Sequence, residues 1–299
     1  MIKIIGILLS LVCINAVCFA GQQNWQELKD EHFIVHYMPA SASSSLVSSQ
    51  PQMSTDSFAR QVLFEAERYY QRIALELGYA RSSEFWTWDK RVKIYIYSNR
   101  ETYQASGNYP PWSEGMADYK KKAILSFAGS ASFVDSILPH EIAHLVFRDF
   151  VGLRGDIPLW LDEGVAQWAE EKKTPQVKSL VKLMFLKDSL LTLDDMMKLD
   201  IRTIVHKNNV YIRPTITRQG DRGVLFLTGD ALVNSYYMEA ASLVSFMIDK
   251  YGSMEFSNFC RQLRDGKSVE DAVKNVYYTH IRDMVEFEMC WRKYIEEVK

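Results

Sequence analysis

Residues 139–144 read Pro-His-Glu-Ile-Ala-His, and this stretch restricts the local fold more tightly than any other. Four positions along a strand separate two side chains by about 13 Å, too far for joint work. On a helix the same spacing stacks His140 and His144 one turn apart, with Cβ atoms about 6 Å from each other. The surroundings favour the helix. Asp135 or Ser136 suits its N-terminal cap, and Pro139 falls in a first turn that does not need its missing N–H. Ile142, Leu145, Val146 and Phe150 recur at helical spacing behind the histidines. Two imidazoles so placed can both reach one Zn²⁺ at about 2.0–2.1 Å. Glu141 is turned about 100° around the axis, so it flanks such a metal without binding it. A base for a metal-activated water belongs there.

A hydrolytic zinc centre needs a third protein ligand and an open fourth position. After Phe-Val-Gly-Leu-Arg-Gly-Asp-Ile-Pro comes a second helix start, Pro158 to Glu171. Leu159, Trp160, Val165 and Trp168 give it an apolar face, and Glu163 sits among them. A carboxylate in that setting is costly unless paired, and coordination would pair it. The alternative is an ordinary surface glutamate, as expected for Glu170 and Glu171. Gln167, one turn on, is either an outer hydrogen-bond partner of a ligand or a solvated side chain.

The combination of His-Glu-Ile-Ala-His with Trp-Leu-Asp-Glu-Gly-Val-Ala-Gln-Trp resembles the gluzincin zinc metallopeptidases, in particular their exported peptidase-MA-like branch, related to the M1 aminopeptidases. His-Phe-Ile-Val-His-Tyr, Lys-Ile-Tyr-Ile-Tyr and the closing Tyr-Tyr-Met-Glu-Ala-Ala-Ser-Leu-Val-Ser-Phe-Met-Ile-Asp-Lys-Tyr-Gly extend the similarity over most of the chain. The resemblance implies an α+β, zincin-like fold: a small mixed sheet with an edge strand, a histidine-bearing helix, a glutamate helix, and a mostly helical C-terminal part. It implies one zinc per chain on His140, His144 and Glu163, with Glu141 as general base. It also points to a tyrosine before a Tyr-Gly helix ending as oxyanion donor. Tyr237 is the choice, with Tyr236 beside it as the alternative, since neighbours on a helix diverge by about 100°. Two departures stand out. Asp162 replaces the usual asparagine of M1 enzymes. Gly-Met-Ala-Asp (115–118) lacks the glutamate of their amine-anchoring segment, so aminopeptidase activity is not implied.

The expected activity is hydrolysis of peptide bonds in a peptide or protein substrate. The rival reading is an exported binding or scaffold module that keeps the fold without turnover. Lys-Lys-Ala-Ile-Leu-Ser-Phe (121–127) is a candidate edge strand for an extended peptide, or a plain core strand.

Residues 1–20 have a basic Lys3, an apolar run and a small-residue end, the layout of a secretory signal peptide. That predicts a mature domain over 21–299, exported to a periplasmic or extracellular location, with no stable membrane span. Cys13 and Cys18 would leave with the signal. Cys260 and Cys290 then either form one disulfide or remain two small apolar side chains. Lys plus Arg number 35 against 37 Asp plus Glu, so nothing marks a nucleic-acid partner. His32 and His36 lie in a predicted strand and read as structural. His206 and His280 have no supporting neighbours. A helix is predicted from Phe58 to Leu77, a hairpin over 209–230, and three helices from Met238 to Tyr294, broken at Gly252 and Gly266.

Overall fold

The computed structural model describes residues 25–39, 54–79, 86, 88–111, 113–152, 157–203 and 210–298. Residues 1–20 and His206 lie outside them. The chain forms two compact units: one runs to Leu75 and resumes over Tyr79–Val146, and the other takes Glu76–Gly78 and Phe147–Lys299.

The first unit is built on a five-stranded mixed sheet. Its strands are β1 (Gln26–Lys29), β2 (Phe33–Tyr37), β3 (Val92–Tyr97), β4 (Gly115–Asp118) and β5 (Ala123–Phe127), in the order β1-β2-β3-β5-β4. The two outer pairings are antiparallel and the two inner ones parallel. Strand alternation explains the core: Phe33 and Val35 of β2 and Val92, Ile94 and Ile96 of β3 are all fully buried. Helix α1 (Thr55–Glu76) contributes Phe58, Val62, Ala66 and Ile73 to the buried set. Glu67 ties α1 to β2. Its carboxylate accepts from the backbone N–H groups of His32 (2.8 Å) and Phe33 (3.3 Å) and contacts His32 Nδ1 at 2.7 Å. His36 stacks on Tyr95. His36 lies in β2 as predicted, whereas His32 stands just before it, held by Glu67 of α1. Helix α2 (Arg100–Ala105) opens on a capping box between Asn99 and Thr102.

Of the two readings of residues 121–127, edge strand or core strand, the structure shows the core strand, and the sheet edges are β1 and β4. That segment, β5, is hydrogen-bonded on both sides, and Gly-Met-Ala-Asp forms the edge beside it. Four residues are too few to show alternation, so composition gave no sign of the strand. Helix α3 (Leu138–Val151) also begins differently from expectation. A π-helical turn, Phe133–Ile137, leads straight into it, so Asp135 and Ser136 lie inside helical backbone and not at its start.

The second unit is mostly helical: α4 (Leu159–Trp168), α5 (Thr174–Leu186), α6 (Leu193–Lys198), α7 (Gly229–Tyr251), α8 (Ser253–Arg264), α9 (Val269–Val276) and α10 (Met284–Glu297), with a hairpin of β6 (Val210–Ile216) and β7 (Arg222–Thr228). The hairpin falls where the sequence places it. Beyond it the chain makes four helices, not three. Tyr277 to Asp283 breaks the last predicted helix, and α7 begins at Gly229 instead of Met238. α7 is the central element, buried at most positions from Leu232 to Met247. It ends at Gly252, whose φ of 96° suits glycine. α4 lies against it so closely that a Cβ on Gly164 would stand 2.6 Å from the Ala240 carbonyl oxygen. Cys260 is buried, Cys290 is partly buried, and both are free thiols. Among the described residues, no helix is long and apolar enough to cross a membrane.

Candidate metal and catalytic site

α3 carries His140, Glu141 and His144, each no more than 1% exposed. Their neighbours Ile142, Ala143, Leu145, Val146 and Phe147 are buried too, so three polar side chains sit in an apolar helix. Burial of that kind is tolerated only with partners. The two histidines turn towards each other. Their Nε2 atoms are 3.2 Å apart, and the rings meet edge to face at 76°. Two nitrogens bound tetrahedrally to one zinc at about 2.0–2.1 Å would lie about 3.3 Å apart. The pair therefore has the spacing of two zinc ligands.

Glu141 is held from the sheet. The hydroxyl of Tyr119, which directly follows β4, donates to Glu141 Oε2 at 2.8 Å. The Tyr119 ring stands edge-on to His144, 5.8 Å between centroids. Sequence reasoning missed Tyr119. It belongs to no motif, and its partner lies 22 positions away.

On α4, Glu163 is 1% exposed, with Trp160, Leu161, Val165 and Ala166 buried around it. Gln167 is partly buried. Arg148, one turn beyond His144 on α3, fixes Asp162: Nη2 to Oδ2 is 2.5 Å, and Nε lies 3.2 Å from each carboxylate oxygen. Asp162 thus has a structural duty next to Glu163. One donor atom each from His140, His144 and Glu163 lies within 4.8 Å of the other two, a group able to hold a metal ion. Two imidazoles and a carboxylate are a fitting donor set for zinc.

The two tyrosines of α7 have different surroundings. The Tyr236 hydroxyl donates to the Met196 carbonyl at 3.2 Å, and the side chain is fully buried. Tyr237 is 7% exposed. Burial, then the Glu163 carboxylate, push its phenol well above the usual range. His280 stacks on Tyr251, a structural contact.

Residues 86–212 match the sequence model of the Peptidase MA superfamily, the zincin-like metallopeptidases, which are typically zinc-dependent. The match takes in β3, β4, β5, α3 and α4, and so every candidate ligand. A comparison with curated proteins finds no match.

Proposed function

We propose that this chain is an exported zinc metallopeptidase of gluzincin type that hydrolyses peptide bonds. The observation that carries the reading is the buried group of His140, His144 and Glu163, with Glu141 beside the two histidines on α3. Two imidazoles and a carboxylate with donor atoms this close are the donor set of a hydrolytic zinc centre.

A zinc ion bound by these three residues supplies Lewis acidity and brings the pKa of a water near 7. The protein residues do the rest. Glu141 takes a proton from the attacking water and delivers it to the leaving amine. Tyr237 donates to the oxygen that gains charge as the carbonyl is attacked. Export rests on the secretory layout of residues 1–20.

Zinc content of the purified chain tests the ligand set. Wild type is expected to hold about one zinc per chain, and His140→Ala to lose most of it; full occupancy in His140→Ala would mean the wrong ligands.

A further inference from the structure

We infer that Tyr119 is a positioning residue for Glu141, an inference that rests on the peptidase reading. Glu141 lies on a helix, and its carboxylate can rotate about the side-chain torsions unless something holds it. The Tyr119 hydroxyl supplies that hold through its 2.8 Å bond to Oε2. With Oε2 engaged, Oε1 is the atom presented to a water and to a leaving amine. The ring adds a second restraint, since it packs edge-on against His144. One side chain therefore touches both the base and a candidate ligand.

Tyr119 is itself well anchored. It closes β4, whose four residues pair in register with Ala123 to Ser126 of β5. The backbone of the turn after it is fixed by Lys122 N–H donating to the Tyr119 carbonyl. The turn passes through Lys122 at φ 49°, a left-handed conformation that a longer or looser connection would not require. β4 also lies at one edge of the sheet. The alignment of the base is thereby set by the sheet edge as well as by α3.

The inference differs from a general role in packing by what it predicts. Removing only the hydroxyl leaves the ring against His144 and should leave metal and substrate binding intact. A misplaced base slows the chemical step, and small errors of position cost on the order of a hundredfold.

The experiment uses the zinc-loaded full chain in wild-type and Tyr119→Phe forms, with a fluorescence-quenched peptide taken from the fastest-cleaved member of a synthetic peptide library. The expected result is kcat lower by about ten- to a hundredfold, with KM within twofold and zinc per chain unchanged. Thermal midpoints of Tyr119→Phe, Glu141→Ala and the double variant give a readout independent of turnover. The midpoint drop caused by Tyr119→Phe should disappear once Glu141 is alanine. Unchanged kcat would overturn the inference while leaving the peptidase reading in place. So would a rise in KM alone, which would make Tyr119 a substrate contact, or an absence of coupling between the two residues. A wild-type chain that cleaves nothing would instead overturn the peptidase reading, and this inference with it.

Discussion

Arg148 on α3 grips Asp162 on α4 through the Nε–Nη2 edge of its guanidinium, at 2.5 to 3.2 Å, immediately beside Glu163 and one helical turn beyond His144. The aspartate is 9% exposed and the arginine 23%. Removing one partner of such a pair strands the other, which costs more than the pair contributes. Arg148→Ala should therefore destabilise the chain by about 3 kcal/mol, the lower end for a buried pair because the arginine keeps some solvent. Urea unfolding measures it. Asp162→Asn should cost less, since the amide oxygen still accepts. A loss below about 0.5 kcal/mol for Arg148→Ala would class the pair with ordinary surface bridges.

Gly164 is the second constraint on α4. A methyl group there meets the Ala240 carbonyl oxygen at 2.6 Å, a backbone atom with little room to yield. Gly164→Ala gains about 1 kcal/mol of helix propensity but overpacks the α4–α7 crossing. The net should be a loss of about 1–2 kcal/mol, read as a lower thermal midpoint. An unchanged or higher midpoint would show that the crossing can relax.

The neighbours on α7 should separate cleanly. Tyr237→Phe is expected to slow turnover by about a hundredfold with zinc retained, the effect of losing one oxyanion donor. Tyr236→Phe removes the bond to the Met196 carbonyl, so it should cost about 1 kcal/mol of stability and leave kcat within twofold. The reverse pattern would exchange their roles.

Glu114, just before β4, supplies a pH dependence. Burial raises its pKa, but hydrogen bonds from Ser132 and Ser130 and the Arg100 charge outweigh this, so the net shift is below the usual 4.5. The unfolded chain then takes up a proton before the folded one as pH falls. Stability from Glu114 is full above about 4.5 and is lost as pH falls through the lower folded value. Urea midpoints of wild type and Glu114→Gln, measured from pH 7 to 3, should converge on the acid side. A constant gap would show that ionisation of Glu114 contributes nothing.

What the sequence discloses and conceals follows from the range of the interactions. The His140–His144 pair is legible because helical spacing alone brings two imidazoles together. Glu163 is legible because a carboxylate among Trp160, Val165 and Trp168 calls for a partner. The β6–β7 hairpin shows in two β-rich runs around a turn. Tyr119 is not legible, because its value depends on where a sheet edge ends relative to α3. The Arg148–Asp162 pair is hidden too, since arginine and aspartate on two helices carry no spacing signal. The edge position of β4 depends on strand order, which local pattern does not encode. Local patterns and a conspicuously placed polar residue are visible, and partners fixed only by strand order or by how two elements meet are not.

The central claim is that Glu141 is the base of a zinc peptidase. It is tested most directly by incubating a mixed synthetic peptide library with zinc-loaded wild type and Glu141→Gln, and reading the products by mass spectrometry. The account predicts cleavage by wild type and a loss of at least a hundredfold in Glu141→Gln, the lower end for a general base, at equal zinc content. Equal cleavage by both would contradict the role of Glu141, and zinc without cleavage by either would favour a binding module on the same fold.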